Sequence, residues 1–502
     1  MRLTILLLIL AVSAQAGLFE KAKGFFKGGN LIDRIKNATL TRFGKIFVKT
    51  GLFSFGSKLN QIRKKTMNKL KLTWQKKKVE LESKMKEILA RRDNTIEDLK
   101  DTIVEINAAS NIGKHLFQSD ILLTKKQADE VLEAVDGTSG RKKRQAFKDK
   151  NYPNTTWLGA QVFYKFDDSA DHFTREMFKK GAKQWEDVSC IKFHHDKENK
   201  SEHSIVLIKE EGCWSYVGRL GGEQPLSLGV GCEEVGTAAH ELGHALGLFH
   251  TMSRYDRDDF ITIALENVRE DFVDQYIKET TETTTNYDLT YDYASIMHYG
   301  ATGASHNKKP TMIANDVNFQ ESMGSHILTF IDKSMINDHY NCKAKCLNAK
   351  SHQCKNGGFP HPEKCSECIC PSGYGGAFCN ERPSGCGRKL VAKQSKQFLI
   401  DKLGFGGPVR DEFTFCNYWI EAPEGKTIEV KINSISHGYA YDGCILGGVE
   451  IKSNQDQTRT GYRLCSPNDR NVKLVSASNR LPVITFNRLG QQQVILEYKI
   501  AE

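Results

Sequence analysis

Three histidines and one glutamate of the types that form metal centres lie close together in the sequence. His240 and His244 are four residues apart in a segment of helical pattern, so both imidazoles point to the same face, one turn apart. That spacing suits two ligands of one tetrahedral zinc ion, and Glu241 can reach a water on the metal without being a ligand. Gly247 tolerates the left-handed backbone of a sharp helix exit, after which His250 can supply a third ligand. Three neutral histidines leave one coordination position open, as in catalytic zinc sites.

This spacing is specific. The chain has 15 histidines in 502 residues, so a chance His-Glu-x-x-His is expected on the order of 0.03 times. Gly247 and His250 at fixed positions lower that expectation by a further factor of roughly a thousand. The pentapeptide from Ser295 to Tyr299 adds a methionine and a tyrosine that would complete the site, although methionine alone is more often core filler. Other histidines are interpreted as surface or strand residues without a role, namely His194, His195 and His203.

The apolar pattern predicts the elements that must position these residues. One helix is predicted between positions 173 and 188, a second begins near Thr237, and strands are predicted at 191–193 and 204–208. After Cys342, six cysteines fall within 34 residues, so this small unit must be stapled by disulfides. The last segment alternates apolar and polar residues, which is typical of an all-β sandwich. The predicted fold is therefore multidomain, with an α+β catalytic domain (mixed sheet plus active-site helix), a small disulfide-rich module and an all-β sandwich.

Length and composition indicate export. At 502 residues the chain is too long for a single hydrophobic core. Residues 1–16 combine an early arginine, an apolar run and a small-residue cleavage site, as in a secretory signal, and no later stretch approaches the roughly 20 apolar residues of a membrane span. None of the 14 cysteines precedes Cys190, and their number favours an oxidising, extracellular compartment.

The net charge of +10 is unevenly distributed. Residues 1–144, here called the leader, hold 30 Lys and Arg against 15 Asp and Glu, and the rest of the chain holds 41 against 46. The basic character therefore belongs to the leader, and nucleic-acid binding by the mature protein is not implied. Residues 60–108 are rich in Lys and Glu with apolar residues at helical spacing, which predicts an amphipathic helix or a pair of helices.

A basic cluster ends the cysteine-free part of the chain. The run Arg141-Lys142-Lys143-Arg144 follows the flexible sequence Asp136-Gly137-Thr138-Ser139-Gly140. In a secreted chain this arrangement predicts cleavage by a proprotein convertase after Arg144. Gln145 would then be the first residue of the mature protein, and residues 17–144 would form a pro-segment.

Together, the histidine motif, the run Arg254-Tyr255-Asp256-Arg257-Asp258 and the Ser295–Tyr299 segment resemble the astacin family, a branch of the metzincin metallopeptidases. The six-cysteine unit resembles an EGF-like module. The end of the chain resembles a CUB domain through Cys386, Cys416-Asn417-Tyr418-Trp419-Ile420, Tyr441-Asp442-Gly443-Cys444 and Cys465. The resemblance implies the order signal peptide 1–16, pro-segment 17–144, astacin-like peptidase domain 145–342, EGF-like domain 343–382 and CUB domain 386–500.

The resemblance also implies roles for individual residues. One zinc ion per subunit would be held by the three histidines, with Glu241 as general base and Tyr299 as a movable fifth ligand that donates to the oxyanion. Substrate would lie extended along Cys213-Trp214-Ser215 through backbone pairing. Disulfide pairing is not fixed by spacing, and the family patterns imply Cys190–Cys342, Cys213–Cys232, Cys346–Cys365, Cys354–Cys368, Cys370–Cys379, Cys386–Cys416 and Cys444–Cys465.

Two positions depart from the family pattern. Phe117-Gln118-Ser119-Asp120 resembles the latency motif Phe-x-Gly-Asp, in which the aspartate replaces the catalytic water on zinc, but Ser119 stands where the family has glycine. Thr251 stands where astacins have a glutamate that pairs with the buried amino terminus. One hypothesis is that Gln145 cyclises to a neutral terminus that hydrogen-bonds to Thr251, and the alternative is a terminus that stays in solvent.

Taken together, these features predict a secreted zinc metalloendopeptidase, made as a zymogen, that hydrolyses extracellular proteins or peptides by means of a zinc-activated water. The ligand of the EGF-like and CUB domains is not indicated. Two alternatives remain: an adhesive or matrix protein that has lost catalysis, which would be expected to lack Glu241 or a histidine, and a matrix metalloproteinase, which often has a pro-segment cysteine. Only Thr251 favours the second alternative, whereas the cysteine-free leader, Tyr299, the Arg254–Asp258 run and the C-terminal modules favour an astacin. Glycan acceptor triplets begin at Asn37, Asn154 and Asn199.

Overall fold

The computed structural model describes residues 55–91, 102–136, 146–147, 154–279, 284–347, 353–436 and 439–502. The chain divides into two compact units, Met1–Ser57 and Lys58–Glu502, and every site discussed below lies in the second. The expected signal peptide (1–16), Asn37, Arg144 and Gln145 lie outside the described residues. Of the helices within the described ranges, none is both long enough and apolar enough to cross a bilayer.

The described part of the leader contains three α-helices and one short strand, besides a single 3-10 turn at Gly113–His115. In chain order these are α1 (Phe55–Arg91), α2 (Ile103–Ala109), β1 (Ile121–Leu122) and α3 (Lys125–Asp136). Most of α1 is polar and exposed, but Leu81 and Ile88 are buried against Ala264 and Ile313 of the catalytic part. Helices α1 and α2 agree with the amphipathic helices predicted between residues 60 and 108.

A six-stranded mixed sheet forms the main scaffold of the catalytic part. Besides β1 it contains β3 (Gln161–Phe166), β4 (Lys192–His195), β5 (Ser204–Ile208), β6 (Cys213–Tyr216) and β7 (Glu223–Leu228), in the order β1-β6-β7-β5-β3-β4. Strands β3, β4, β5 and β7 are parallel, and β6 is antiparallel to β7. The leader strand β1 pairs in parallel with β6 and so occupies the edge of the sheet. The predicted strands at 191–193 and 204–208 correspond to β4 and β5.

Two helices, α4 (His172–Glu186) and α5 (Val235–Ala245), pack closely against each other. They can approach because α4 has glycine at position 181, where a Cβ atom would lie only 2.8 Å from the backbone nitrogen of Ala239. The indole Nε1 of Trp185 donates to the carbonyl oxygen of Ala239 at 2.9 Å. Every residue of α5 is buried, so neighbours on all sides hold the histidine-bearing helix in place.

The rest of the catalytic part has little regular structure. Strand β2 (Ala146–Phe147) pairs with β9 (Thr284–Thr285), and β8 (Ile261–Ile263) pairs with β10 (Met312–Ala314). Helix α6 (Phe330–His339) begins with a capping box in which the side chains of Thr329 and Asp332 accept each other's backbone N–H groups. The carboxylate of Asp332 also accepts from the backbone N–H of Ile296 at 3.0 Å, which fixes α6 to the segment that precedes Tyr299.

Two further units follow the catalytic part. Strands β11 (Phe359–His361) and β12 (Lys364–Ile369) pair within the cysteine-rich unit. The C-terminal sandwich (residues 386–500) has one sheet in the order β13-β15-β20-β17-β18 and a second in the order β14-β21-β16-β19. Its strands are β13 (Lys389–Val391), β14 (Gln397–Gly404), β15 (Thr414–Glu421), β16 (Ile428–Ser436), β17 (Gly447–Ile451), β18 (Tyr462–Leu464), β19 (Lys473–Val475), β20 (Arg480–Asn487) and β21 (Gln491–Ile500). Apolar residues from both sheets share one core, as the alternating pattern predicts.

All 14 cysteines of the chain form disulfides. The pairs are Cys190–Cys342, Cys213–Cys232, Cys346–Cys365, Cys354–Cys368, Cys370–Cys379, Cys386–Cys416 and Cys444–Cys465. Each pair lies within the catalytic part, the cysteine-rich unit or the C-terminal sandwich. The pairing is the one that the family patterns imply.

Candidate metal centre and active site

Helix α5 and the turn after it orient the three histidines. Gly247 has a φ of +106°, the left-handed conformation expected for the helix exit. The Nδ1 atom of each histidine faces an oxygen: Ile296 O for His240 (2.7 Å), Leu248 O for His244 (2.7 Å) and Gln118 Oε1 for His250 (2.8 Å). Because a carbonyl oxygen can only accept, each Nδ1 carries the proton, and each Nε2 presents a lone pair.

The three Nε2 atoms converge on one point. The distance from His240 Nε2 to His244 Nε2 is 3.1 Å, and that to His250 Nε2 is 3.2 Å. Lone pairs that face each other in a buried space repel unless a cation lies between them. Ligand atoms about 2.0–2.1 Å from a tetrahedral zinc are separated by about 3.3–3.4 Å, so the side chains fit a zinc ion.

The fourth group of this cluster is Asp120 from the leader. Its Oδ2 atom is 3.2 Å from His240 Nε2 and 3.1 Å from His250 Nε2, and its Oδ1 atom is 3.5 Å from His244 Nε2. All four side chains are buried, and their ligand atoms lie within 4.8 Å of one another. Three imidazoles and one carboxylate form a complete tetrahedral donor set, so in this form of the chain the leader fills the position that the histidines leave open.

Hydrogen bonds of Asp120 and of its neighbours in the chain hold this segment in place. The backbone N–H of Ser215 donates to Asp120 O at 3.0 Å, and β1 continues this pairing along β6, with Ile121 opposite Ser215. Asn107 Nδ2 donates both to Ser119 O at 2.9 Å and to Cys213 O at 2.6 Å. One side chain therefore links the Phe117–Asp120 segment of the leader to the edge strand β6. The leader thus occupies the strand surface where substrate is expected to bind.

The conformation of Ser119 gives a physical reason for the family's glycine at this position. Ser119 has a φ of +72°, in the left-handed region, which costs a residue with a Cβ atom about 1–2 kcal/mol. Its backbone is therefore strained, and the buried Oγ has no hydrogen-bond partner among the described residues. The departure from the family's glycine at position 119 therefore bears on backbone strain.

Glu241 is buried beside the cluster. Neither carboxylate oxygen has a hydrogen-bond partner within the described part of the chain. Burial raises the pKa of the Glu241 carboxyl well above its usual range, and the nearby charge of Asp120 acts in the same direction. A buried carboxyl group with a raised pKa next to a metal-binding cluster is suited to accept and return a proton.

The segment from Ser295 to Tyr299 lies against the site, as expected. Met297 packs under helix α5, since a Cβ atom at Gly243 would lie 2.5 Å from its sulfur. The ring centroid of Tyr299 is 4.3 Å from that of His250. The Tyr299 hydroxyl donates to Gln118 O in the leader, so the leader engages this tyrosine as well as the histidines.

Thr251 is buried and is linked through Ser295 to the carboxylate of Asp332. Its hydroxyl donates to Ser295 Oγ at 2.9 Å, and Ser295 Oγ donates to Asp332 Oδ1 at 2.5 Å. Ala146, the first described residue after the basic cluster, is also buried and is bridged to Leu248. Thr251 therefore has a hydrogen-bond partner of its own. Asp332, whose pKa burial raises above its usual value, is a carboxyl group in this region that sequence reasoning missed.

Other expected residues lie away from this cluster. Asn154 and Asn199 are exposed, as are His194 and His195 on β4. Sequence reasoning also missed Asn107 and Gln118 as functional residues. Gln118 lies within the latency motif, which was a local signal, but no spacing rule points to Asn107, 106 residues before its partner Cys213.

Comparison with known proteins identifies the class of molecule. The family model for astacin peptidases matches residues 149–341. The chain is 48% identical over 404 residues to zinc metalloproteinase nas-31 of Caenorhabditis elegans, covering 80% of this chain and 66% of that protein. It is 37% identical over 400 residues to nas-23, covering 77% and 72%, and 34% identical over 398 residues to nas-17, covering 78% and 88%, both of the same organism.

Among solved structures, High choriolytic enzyme 1, a hatching enzyme zinc-protease from Oryzias latipes, is 28% identical with a TM-score of 0.34, covering 39% of this chain and 94% of that one. The relatives define a class of zinc metalloproteinases. The chain belongs to the astacin family within that class. The expectation of zinc as the cofactor is thereby confirmed, with the His₃–Asp cluster as its site. The match spans less than two thirds of the length of nas-31 and of nas-32.

Proposed function

We propose that this protein is a secreted zinc metalloendopeptidase made as a zymogen and activated by cleavage after Arg144. The observation that carries the proposal is the position of Asp120, whose carboxylate lies within 3.5 Å of all three histidine Nε2 atoms. A leader carboxylate in the open coordination position is what a latent enzyme needs. A purely structural zinc site would take its fourth ligand from its own domain.

His240, His244 and His250 would hold the zinc, which when bound supplies a Lewis acid that activates water and polarises a carbonyl. Glu241 takes the proton of the attacking water and later delivers it to the leaving amine. Tyr299, once released from Gln118, donates a hydrogen bond from its hydroxyl to the oxygen that becomes negative in the transition state. Once β1 of the leader has left, the edge of β6 pairs with an extended peptide substrate.

Several further parts of the proposal rest on the family resemblance. Residues 17–144 act as the pro-segment of a peptidase domain at 145–342, with a proprotein convertase as the activating partner. Residues 343–382 and 386–500 are an EGF-like and a CUB domain that bind ligands outside the cell, and Asn37, Asn154 and Asn199 carry glycans. Seven disulfides support an extracellular location.

A peptide-library digest tests the proposal directly. The full chain is compared before and after cleavage at Arg144, with a zinc chelator as a third condition. The cleaved protein is expected to cut internal peptide bonds, and the uncut and chelated samples to cut none. A cleaved protein with one bound zinc that hydrolyses no peptide in the library would overturn the proposal.

Asp120→Ala is expected to make the uncut precursor leak activity. Loss of this donor leaves a coordination position open to water even in the uncut chain, so activity of the uncut chain should rise roughly tenfold or more. Ser119→Gly should act in the opposite direction, because it relieves the backbone strain at a φ of +72°. Asp129→Ala on α3 is the matched control and should remain latent. A fully latent Asp120→Ala precursor would mean that bulk blockage by the leader, rather than the carboxylate, maintains latency.

Tyr299→Phe is expected to lower kcat of the processed enzyme by about 10²-fold, because it removes one donor to the transition-state oxygen. KM should change little, since that contact is absent in the ground state. Tyr293→Phe provides the same chemical change at a buried hydroxyl that donates to Phe260 O and should leave kcat near wild type. A rise in KM with unchanged kcat would assign Tyr299 to substrate binding.

A further inference from the structure

The C-terminal sandwich packs against the catalytic part beside the metal centre. The segment that makes this contact, Tyr441–Ile445, follows strand β16 and packs on the loops at 300–302 and 324–325. Asp442 Oδ2 accepts from the backbone N–H of Thr302 at 2.7 Å and from its hydroxyl at 2.5 Å. A Cβ atom at Gly443 would lie 2.2 Å from the carbonyl carbon of Gly324. The segment also packs on Gly300, the residue after Tyr299, where a Cβ atom would lie 2.9 Å from Asp442 Cβ.

Buried polar contacts hold the same interface together at other points. Arg463, only 3% exposed, donates to Ser325 Oγ at 2.5 Å. Arg488, also 3% exposed, donates to Glu234 Oε2 at 3.0 Å, just before helix α5. The apolar side chains of the two parts belong to one continuous core cluster. Domains with small polar interfaces usually move relative to each other, whereas this interface has the buried character of a fixed one.

A cavity of about 50 Å³ lies at this interface between the catalytic part and the sandwich. His240 and Tyr299 form its wall towards the metal centre, and Asp442 and Ile445 of the sandwich form part of the wall beyond. Thr102 and Ile103 of the leader also line it. Removal of the leader would take away this part of the wall and widen the space between Tyr299 and the sandwich.

We propose that this space is a substrate subsite shared between the two parts of the chain, and that Ile445 makes it selective for apolar side chains. The inference rests on the proposed peptidase function and adds a specificity-determining residue outside the catalytic part. The Asp442 carboxylate is bound by Thr302, and Glu234 is bound by Arg488 and by His326 at 3.1 Å. With these charges paired, the apolar side chain of Ile445 determines which substrate side chain the wall accepts.

The leader supports an apolar preference. Ile103 at this cavity is partly buried and packs against the apolar core of the catalytic part. A substrate with an apolar residue at the same place would regain that burial after the leader leaves. A charged residue would lose its hydration there without gaining a partner.

The test uses the processed full chain and a peptide library that varies one residue at a time. Ile445→Glu should move the preference at one substrate position from apolar residues towards Lys and Arg, changing the kcat/KM ratio of the two classes by roughly tenfold or more. Other positions should keep their preferences. Ile400→Glu, at a side chain 56% exposed on β14, is the control and should match wild type.

Ile445→Ala keeps the test decisive if the glutamate variant fails to fold. It should enlarge the subsite, so that larger apolar residues are accepted at the same substrate position. An unchanged profile in a folded, zinc-loaded Ile445 variant would overturn the subsite. Absence of cleavage by the unmodified processed protein would instead overturn the proposed function, so the two failures are distinguishable.

Discussion

Glu241→Ala in the processed protein is expected to lower kcat for peptide cleavage by about 10³-fold or more while zinc content stays at one ion per chain. The Glu241 carboxylate has no hydrogen-bond partner among the described residues and is not part of the four-residue ligand group. General acid–base catalysis contributes about 10²–10⁴-fold. Loss of activity and retention of metal should therefore separate. Peptide hydrolysis and metal analysis on the same preparation measure both quantities.

Two comparisons make the Glu241 result interpretable. Glu241→Gln keeps the size of the side chain, so a similar loss of activity would assign the effect to the missing base and not to a packing defect. Glu223→Ala removes a carboxylate from the exposed end of β7 and should leave activity unchanged. Activity near wild type in both Glu241 variants would require another residue to act as the base.

His244→Ala is expected to reduce zinc occupancy of the processed protein from one ion per chain to less than about a tenth. The substitution leaves two protein ligands, whereas catalytic zinc sites use three. The uncut precursor of the same variant retains Asp120 as a third donor, so it should lose less zinc than the processed form.

Metal analysis after dialysis against a weak chelator measures this difference. His203→Ala is the control, because His203 is a partly exposed histidine whose Nδ1 accepts from Gly222 N at 2.9 Å, away from the cluster. Full zinc in processed His244→Ala would remove this residue from the ligand set. Equal losses in precursor and processed protein would show that Asp120 does not act as a donor.

The parts of the site that could be predicted from sequence are those set by local geometry. Helical spacing places His240 and His244 on one face, and the need for positive φ at Gly247 predicts the turn that brings in His250. The strand at 204–208 is predictable because Ser204 is followed by an unbroken run of four apolar residues, Ile205 to Ile208, and the structure buries most of this strand.

What sequence could not supply are contacts between distant segments. Asn107 hydrogen-bonds to the backbone of Cys213 across 106 residues. Which residue Asn107 meets depends on how the leader lies on the sheet. The same holds for Asp442, which the CUB resemblance leaves within its own domain, yet it accepts from Thr302 across 140 residues. Such pairs depend on packing between units, for which one sequence carries no periodic signal.

The covalent link between Asp120 and the catalytic part has a thermodynamic consequence. In the uncut chain the carboxylate is a tethered ligand, and tethers of this kind give effective concentrations in the millimolar range. A cut between Asp120 and Ala146 leaves every contact of the carboxylate unchanged but converts it into a separate molecule that must compete at its actual concentration. The fraction of enzyme that becomes free then depends on dilution, so crowded and dilute surroundings would give different activity from the same number of cleaved chains.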